Sequence, residues 1–404
     1  MSKDNGMKNL RRETLAVRAA VARSQYGENS EALYLTSGYV QSGAESQARR
    51  FAGEEEGDTY GRTGNPTVRS MEMRLAALEG TEACMATSSG MAAIMLMCFS
   101  LLKSGDHVVI SQSMFGSTLK LIGSEFARFG VEASVVPQTD LASWKSAVRS
   151  NTRLLFAETP TNPLGEVCDM AALADMAHAA GALFAVDNCF ATPALQQPVA
   201  FGADIVMHSG TKYLDGQGRV MAGALCASAQ LVNETFLPVQ KNSGMVLSPF
   251  NAWVVLKGME TLDLRMRAQS ALALQVSQWL EQHPAVARVY YPGLRSHPQH
   301  DLAMRQMGGV GGAVLSFDLK ADTTDSARAR AFHVLDALEV LSLCTNLGDT
   351  KTLLTHPAST SHGKLSEAQR QAAGIGQGLV RVAVGLEHLD DIKADLSRGL
   401  DTLS

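Results

Sequence analysis

The segment Met207-His208-Ser209-Gly210-Thr211-Lys212 combines residue types that can do amine chemistry. It follows an apolar stretch, so a strand ending here would bring Lys212 to the rim of a buried sheet. A lysine in such a place can have a lowered pKa and can act as a nucleophilic amine. The two hydroxyl residues beside it, Ser209 and Thr211, can bind a phosphate. A lone lysine is more often a solvated surface residue, so this segment by itself does not establish an active site.

Two further segments supply groups that would complement such a lysine. Asp187 ends a second apolar stretch, and a carboxylate at the carboxyl end of a strand can pair with a protonated ring nitrogen. Ser88-Ser89-Gly90 directly precedes an apolar helical stretch, where free backbone N–H groups and hydroxyls suit a phosphate. Taken alone, each segment is more typical of an ordinary loop acid or helix cap.

Together, the three segments predict a pyridoxal phosphate site. Asp187 and Lys212 are 25 residues apart, which is about one βα crossover, so both can lie at the same end of one sheet. An acid for the ring nitrogen, a lysine able to form a Schiff base and two hydroxyl-rich phosphate contacts are the groups that a pyridoxal phosphate enzyme needs.

Composition and missing motifs exclude several other classes of protein. The chain has 404 residues and a net charge of −5, which argues against a nucleic-acid scaffold. The sequence contains neither a G-x-S-x-G nucleophile elbow nor a G-x-x-x-x-G-K-[ST] phosphate loop. No G-x-G-x-x-G joins a strand to a helix, which disfavours a nicotinamide oxidoreductase. The six cysteines are scattered and no metal-ligand spacing is visible, so we predict reduced thiols and no metal.

The hydrophobic pattern predicts the elements that must position these segments. After residue 66, apolar runs alternate with helical segments, which is typical of βαβ units and of an α/β fold with a mostly parallel sheet. Helices are predicted at 67–78, 91–102 and about 117–129, 140–149 and 169–180. The predicted strands are 107–111, 132–136, 153–158, 182–187, 204–208 and 222–228.

The C-terminal third has a different rhythm. A long helical segment follows residue 251, and after about 285 the pattern predicts strands at 286–291, 312–319, 351–355 and 379–384 with helices near 325–337, 366–373 and 388–402. We therefore predict three parts, namely an N-terminal arm over 1–66, an α/β domain that binds the cofactor over 67–260, and a smaller α+β domain over 261–404. The arm is polar and irregular, and a stretch of this length with so little periodicity is usually either disordered or held in place by something else.

The first residues carry charges where a signal peptide needs its apolar core. The longest apolar run, at 91–102, is too short to span a bilayer. We expect a cytoplasmic protein without membrane or nucleic-acid partners.

Seven ordered segments of the chain resemble those of a known family, the Cys/Met-metabolism group of pyridoxal-phosphate enzymes. This group includes cystathionine γ-synthase, the cystathionine lyases, methionine γ-lyase and the homoserine-ester sulfhydrylases. The resemblance covers the chain from about residue 35 onward. It implies the aspartate aminotransferase-like fold (fold type I), with a mostly parallel seven-stranded sheet and a smaller α+β C-terminal domain. The matching segments are YGRTGNPT at 60–67, SSGM at 88–91, ETPTNP at 158–163, VDN at 186–188, HSGTKY at 208–213, THPASTSH at 355–362 and VRVAVGLE at 380–387.

The resemblance implies a role for each residue that would hold the cofactor. Lys212 is expected to form the Schiff-base link to pyridoxal 5'-phosphate and to shuttle protons, and Asp187 is expected to pair with the pyridinium nitrogen. The residues implied to hold the phosphate are Ser89, Gly90, Met91, Ser209 and Thr211.

Other matching residues are implied to act on the substrate or in a neighbouring subunit. Tyr60 and Arg62 are expected to reach the phosphate of a neighbouring subunit, with Tyr60 counted among the catalytic residues. The resemblance therefore implies that a partner chain orders the N-terminal arm. Shared sites of this kind imply a homotetramer built from active dimers. Arg381 is implied to clamp the α-carboxylate of the substrate, with Asn346 nearby. Asn162 is implied to touch the region of the cofactor's ring hydroxyl.

Phe115 departs from the family pattern, because many relatives have tyrosine there. Phenylalanine keeps the stacking on the cofactor ring but lacks the hydroxyl that has a proposed acid or base role in the lyases. A carboxylate leaves with little need of a proton, whereas a thiolate needs more help, so Phe115 favours an acyl-homoserine substrate over a thioether. The distal carboxylate of such a substrate could be received by Arg49 or Arg50.

We therefore expect a γ-replacement that makes L-homocysteine from O-succinyl-L-homoserine and sulfide, a step of methionine biosynthesis. Within the family, the alternatives are a cystathionine γ-synthase, an O-acetylhomoserine sulfhydrylase and a methionine or cystathionine γ-lyase. A non-catalytic subunit that merely binds the cofactor is an alternative of a different class, and intact Lys212, Asp187 and Arg381 disfavour it.

Overall fold

A computed structural model describes residues 10–364 and 366–403, and its larger β-sheet has seven strands. The strands are β1 (Ala83–Thr87), β2 (His107–Ser111), β3 (Glu132–Val136), β4 (Thr152–Glu158), β5 (Leu183–Asp187), β6 (Ile205–Ser209) and β7 (Gly223–Ala227). Their order across the sheet is β1-β7-β6-β5-β4-β2-β3. Neighbours pair in parallel, except that β7 is antiparallel to both β1 and β6.

Helices and short helical turns connect and cover the strands up to residue 281. The α-helices are α1 (Arg12–Arg18), α2 (Ala44–Ala52), α3 (Pro66–Glu79), α4 (Gly90–Leu101), α5 (Gly116–Lys120), α6 (Leu141–Ala147), α7 (Met170–Ala179), α8 (Thr192–Leu195), α9 (Leu237–Ser243), α10 (Pro249–Met259) and α11 (Leu262–Glu281). π-helical segments lie at Leu121–Glu125 and Leu231–Phe236, and 3-10 turns at Phe126–Phe129 and Pro198–Phe201.

The central strands are apolar throughout because both of their faces are buried. Along β4, Leu154 and Phe156 belong to the hydrophobic core that contains α4, whereas Leu155 and Ala157 belong to a second core with α6 and α7. Side chains alternate between the two faces of a strand, so a parallel strand covered on both faces needs apolar residues at successive positions.

The smaller sheet follows in the C-terminal part of the chain. Its strands are β8 (Val286–Tyr290), β9 (Val314–Leu319), β10 (Ser342–Leu343), β11 (Leu353–Thr355) and β12 (Leu379–Ala383), and their order is β10-β11-β12-β9-β8. The helices α12 (His300–Gln306), α13 (Thr324–Asp336), α14 (Glu367–Ala372) and α15 (Leu389–Leu400) accompany these strands, with 3-10 turns at Pro357–Ser359 and Asp401–Leu403. The central strand β12 is antiparallel to both β11 and β9.

Helix α11 connects the two parts of the molecule. Leu262 and Met266, in its first turns, pack in the core of the larger sheet, whereas Ala273, Val276 and Leu280 pack in the core of the smaller sheet. One continuous helix is therefore shared by both hydrophobic cores.

Part of the N-terminal segment is anchored on its own chain by a buried charge network. Arg74 on α3 is fully buried and forms an ion pair with Glu31. The same glutamate pairs with Lys257 on α10, and its main-chain oxygen accepts a hydrogen bond from Trp253 Nε1 at 3.0 Å. Opposite charges in such a dry site hold each other in place, because separating them would leave an unpaired buried charge.

The predicted fold class is confirmed, as is the mostly parallel seven-stranded sheet. Strands β2 and β3 have the predicted bounds, and the other predicted strands agree to within two residues at each end. Strands β1 and β10 are absent from the sequence prediction. That prediction also treated 1–66 as irregular, whereas the structure has helices α1 and α2 there; α2 is a polar helix bounded by Gly43 and Gly53. The single helix predicted at 117–129 is three successive α, π and 3-10 segments.

Residues 1–9, which belong to the predicted arm, lie outside the described residues, as do Leu365 and Ser404. Within the described parts of the chain, no helix is both long enough and apolar enough to cross a membrane.

Candidate active site

A cavity of about 750 Å³ lies where the larger sheet meets residues of the smaller one. Its walls include the carboxyl ends of β4, β5 and β6, which is where open α/β sheets bind ligands. The structure brings most of the predicted site residues together in its lining. These are Ser89, Gly90, Met91, Phe115, Asn162, Asp187, Ser209, Thr211, Lys212, Asn346 and Arg381.

Asp187 is the last residue of β5 and is buried in the cavity wall. Its Oδ1 accepts a hydrogen bond from the backbone N–H of Cys189 at 3.0 Å. Burial raises the pKa of Asp187, whereas the hydrogen bonds from Cys189 and the charges of His208 and Lys212 lower it. A buried carboxylate whose charged form is penalised by burial is stabilised by a cationic partner. A protonated ring nitrogen is such a partner.

Lys212 stands one short turn beyond the end of β6. Its backbone N–H donates to the main-chain oxygen of Ser209 at 3.1 Å, and its Nζ donates to Asn346 Oδ1 at 2.5 Å. Burial is the main cause that lowers the pKa of Lys212, and the charge of Arg381 acts in the same direction. The amine therefore gives up its proton more easily than an exposed lysine does, as a nucleophile or a general base must.

Hydroxyl groups and a helix start form a cradle for an anion beside Lys212. Helix α4 begins at Gly90, after Ser89 as its cap, with Ser89 Oγ accepting from the N–H of Ala92 at 3.1 Å. The first N–H groups of a helix have no acceptor within the helix, so they are available to a phosphate. Ser209 and Thr211 bring further hydroxyls from the end of β6. A side chain at Gly90 would come within 2.9 Å of the Ser209 Cβ atom and narrow this cradle.

Arg381 comes from β12 of the smaller sheet and is almost wholly buried. Its Nη1 donates to Asn162 Oδ1 at 3.3 Å, and its Nη2 donates to the main-chain oxygens of Thr345 at 3.0 Å and Asn346 at 2.9 Å. Its Nε has no hydrogen-bond partner among the residues that the structure describes. Burial lowers the pKa of Arg381 to about 10. A buried guanidinium with free donor capacity in a cavity is suited to bind a carboxylate.

Glu158 is a site residue to which the sequence reading gave no role. It is the last residue of β4, directly beside Asp187 in the sheet register. Its two oxygens accept the backbone N–H groups of Asn162 and Phe115, each at 2.9 Å. Burial and then the charge of Asp187 raise its pKa well above the usual range. The available signal was its place at the end of a predicted strand, in the same motif as Asn162.

Phe115 and several unpredicted residues complete the lining. Phe115 is 37% exposed and is held by its N–H bond to Glu158. Cys189 lies in the wall next to Asp187, where its Sγ accepts the N–H of Ser209 at 2.7 Å. Ser361, from the loop after β11, contributes a hydroxyl that is 2.9 Å from His362 Nδ1.

Three predicted site residues lie away from this cavity. Tyr60 is 46% exposed, and the guanidinium carbon of Arg62 is 5.5 Å from the centre of its ring. Arg62 also donates to the main-chain oxygen of Lys241 and lines a separate cavity of about 640 Å³. Arg49 is paired with Glu55 at 2.9 Å and with Glu45 at 3.4 Å. Their roles toward a partner subunit and a distal carboxylate stay predictions.

The donor set of the cavity fits pyridoxal phosphate. An acid at a strand end suits the ring nitrogen, an amine of lowered pKa suits the aldehyde carbon, and hydroxyls at a helix start suit the phosphate. Over residues 10–364 and 366–403, no group of histidine, cysteine and carboxylate side chains is arranged to hold a metal ion.

Comparisons with known proteins agree with this chemistry. The family described as "Cys/Met metabolism PLP-dependent enzyme" matches residues 13–401. The chain is 54% identical to the O-succinylhomoserine sulfhydrylase of Pseudomonas aeruginosa, over 99% of this chain and 98% of that one. It is 45% identical to the O-succinylhomoserine sulfhydrylase of Mycobacterium tuberculosis, over 96% and 95% of the two chains.

A solved structure shares the fold over nearly the whole length. It is an O-acetylhomoserine (thiol)-lyase of Campylobacter jejuni that carries N'-pyridoxyl-lysine-5'-monophosphate. The superposition has a TM-score of 0.91 at 32% sequence identity, and it covers 97% of this chain and 100% of that one.

Proposed function

Because this chain belongs to the Cys/Met metabolism PLP-dependent enzymes, we propose that it replaces the γ-substituent of O-succinyl-L-homoserine with sulfide and releases L-homocysteine. The observation that carries the proposal is the meeting of Lys212, Asp187 and Arg381 in one cavity. These residues supply an amine, an acid and a carboxylate clamp for an amino-acid substrate. Similarity to two O-succinylhomoserine sulfhydrylases over nearly the whole length supports the choice of the succinyl ester.

The cofactor is pyridoxal phosphate, and when bound it withdraws electrons from the amino acid so that a proton can leave Cα and the acyl group can leave Cγ. Asp187 would hold the proton of the ring nitrogen. The hydroxyls of Ser89, Ser209 and Thr211 would bind the phosphate together with the start of α4. Phe115 would cover one face of the ring.

Lys212 would move the protons of the reaction. Its amine, bound to Asn346 and lowered in pKa by burial, can take the proton from Cα, assist removal of one from Cβ and later return both. Arg381 would hold the α-carboxylate and so fix which bond at Cα is broken. The bond between Cγ and the ester oxygen breaks, and succinate leaves as a carboxylate. Hydrosulfide forms the new C–S bond at Cγ and brings its own proton, so this exchange needs no further proton.

Phe115 supports an ester rather than a thioether as the substrate. A side chain without a hydroxyl cannot protonate a departing thiolate, whereas succinate is stable as the anion. This argument disfavours the γ-lyase alternatives. It does not separate a sulfhydrylase from a cystathionine γ-synthase, because both release the same carboxylate.

An assay of two esters against two sulfur donors tests the proposed substrates. We expect kcat/KM for O-succinylhomoserine with sulfide to exceed the values for the acetyl ester and for cysteine by at least about tenfold, which corresponds to roughly 1.4 kcal/mol. Homocysteine and cystathionine are measured as products by chromatography. Appreciable turnover only with cysteine would contradict the proposal, and so would faster turnover of the acetyl ester.

We also propose that the chain works as a homotetramer of active dimers, in the cytoplasm. Tyr60 and Arg62 support the shared site, since both side chains are exposed and lie outside the cavity of their own chain. The six cysteines are free thiols, as is usual in a reducing compartment.

We further propose divisions of the chain near residues 66 and 260, because the larger sheet ends at Ala227 and α11 begins at Leu262.

Mixing two inactive variants tests the shared site. Arg62→Ala and Lys212→Ala are each expected to be inactive as pure proteins. If Arg62 serves the neighbouring site, random exchange of subunits gives hybrid dimers with one intact site, and about a quarter of the wild-type activity should return. The mixture is unfolded, refolded and assayed, and Lys212→Ala refolded with itself is the control. No recovery in a mixture that has formed hybrids would contradict the shared site.

A further inference from the structure

A buried polar cluster lies behind the cavity, formed by Glu79, Asn188, Gln196 and His208, which we call the Glu79 cluster. Glu79 Oε1 accepts hydrogen bonds from Asn188 Nδ2 at 2.9 Å and from His208 Nε2 at 2.5 Å. Gln196 Nε2 donates to Asn188 Oδ1 at 3.0 Å. No member is more than 1% exposed. Such a cluster is costly to bury, so its retention calls for a reason.

The cluster joins the two strand ends that carry the cofactor contacts. Asn188 directly follows Asp187 at the end of β5, and His208 directly precedes Ser209 at the end of β6. Glu79 is the last residue of α3, and one of its oxygens bonds to both neighbours. Glu79 Oε1 therefore links Asn188, the neighbour of Asp187 in the chain, with His208, the neighbour of Ser209.

The cluster also brings charge close to Asp187. Among the described residues, His208 is the only basic side chain that pairs with Glu79. The titratable groups that face this pair are Asp187 on β5, Cys84 on β1 and Cys226 on β7. Burial raises the pKa of both thiols, so they stay neutral. Asp187 is therefore the group on which a positive charge at His208 acts, and that charge lowers the pKa of Asp187.

We propose that Glu79 and His208 form a charged pair that keeps Asp187 ionised and aimed at the ring nitrogen of the cofactor. Both are positioning residues, since they act through Asp187 and touch neither cofactor nor substrate. The inference rests on the proposed role of Asp187. It does not depend on which ester or sulfur donor the enzyme uses.

Replacement of Glu79 by glutamine tests the charge of the pair. Glu79→Gln keeps an acceptor for Asn188 but removes the carboxylate that, in this proposal, holds a positive charge on His208. Asp187 then loses that nearby positive charge. We expect the dissociation constant of pyridoxal phosphate to rise about tenfold, which corresponds to one unit of pKa at Asp187. The turnover number should fall while KM for the amino acid changes little. Equilibrium dialysis without substrate measures the cofactor binding.

Glu72→Gln is the matched control on the same helix. Glu72 accepts the backbone N–H of Ala86 at 2.7 Å and, among the described residues, forms no hydrogen bond or ion pair with the cluster. Its replacement should change the cofactor dissociation constant by no more than about twofold, the usual range away from a buried network. An unchanged dissociation constant in Glu79→Gln, or an equal rise in Glu72→Gln, would overturn the proposal.

The double variant Glu79→Gln/His208→Gln separates charge from structural support. Each single variant leaves one buried member without its charged partner and should lower the melting temperature, whereas the double variant buries two neutral amides and should regain much of it. We expect cofactor binding to stay weak in the double variant, because Asp187 still lacks the nearby positive charge. Recovery of cofactor affinity together with the melting temperature would show that the pair is only structural and would overturn the proposal.

Asp187→Asn provides the reference for the whole set. Its cofactor dissociation constant should rise at least as much as that of Glu79→Gln. Tight cofactor binding by Asp187→Asn would refute the proposed role of Asp187 and the inference with it. A different preferred ester would change neither measurement, so an error in the proposed substrate is distinguishable from an error here.

Discussion

Replacing Lys212 by alanine is expected to lower the turnover number by at least about 10⁴-fold, because the proposed function makes one side chain both the covalent anchor and the proton carrier. Lys212 is the only lysine in the lining of the cavity, within the part of the chain that the structure describes. Its Nζ is held by Asn346, and burial lowers its pKa toward the range of a useful base. Turnover is measured with saturating cofactor. Borohydride reduction followed by mass spectrometry should show the cofactor mass on the wild-type chain and none on Lys212→Ala.

Two further variants show that the loss belongs to the Lys212 amine. Lys212→Arg keeps a positive charge in the cavity but has no amine of adjustable pKa, so it should be as inactive as the alanine variant. Lys145→Ala removes an exposed lysine from α6 and should leave activity unchanged. A reduced adduct on another lysine, or turnover of Lys212→Ala within tenfold of the wild type, would contradict the assignment.

Replacing Arg381 by alanine is expected to lower kcat/KM for the amino-acid substrate by about 30-fold to several thousand-fold. This range corresponds to the roughly 2–5 kcal/mol that is lost when one partner of a buried charged pair is truncated. The guanidinium is buried and retains an unpartnered Nε, so a bound carboxylate would find both charge and a donor there. Steady-state kinetics over a series of ester concentrations measures the effect.

Arg381→Lys tests whether the several N–H donors of the guanidinium are needed or whether a positive charge is sufficient. A lysine at this position keeps the charge but cannot contact Asn162, Thr345 and a carboxylate together, so we expect it to recover only a small part of kcat/KM. Cofactor binding by both variants should stay within about threefold of the wild type, which would exclude general unfolding as the cause. Wild-type kcat/KM in Arg381→Lys would contradict a bidentate clamp.

Most of the larger sheet could be predicted from the sequence because its central strands are apolar on both faces. In β4, four consecutive apolar residues, all of them buried, are typical of a strand between covering helices. Strand β1 carried no such signal, since Ala83–Thr87 is short, has no β-branched residue before Thr87 and pairs only with β7. The helix α2 was missed because it is short and polar on average and buries only Ser46, so it has no apolar stripe of the kind that marks a core-facing helix.

Site residues could be predicted where a short stretch of sequence marks them, and could not be predicted where the contact joins residues that are far apart in the chain. Asp187 ends an apolar strand and Lys212 follows three residues after the end of another, which are patterns that the sequence displays. The contact between Glu79 and His208 joins residues 129 positions apart, and no spacing rule brings them together. Arg381 was found from a family motif and not from periodicity, because a fully buried arginine inside an apolar strand is contrary to the usual pattern.

Helix α11 is shared by two hydrophobic cores, and the two cores are synthesised at different times. The parts of the cavity therefore form one after the other during synthesis of the chain. The larger sheet, which positions Asp187 and Lys212, is complete by residue 227, but Arg381 belongs to a strand that is made more than 150 residues later. Until that strand pairs with β9 and β11, the second half of α11 lacks part of the core that it packs in, including Val380 and Val382. A growing chain therefore presents an open half-site, and the ability to hold an amino acid is acquired only when nearly the whole protein has been made.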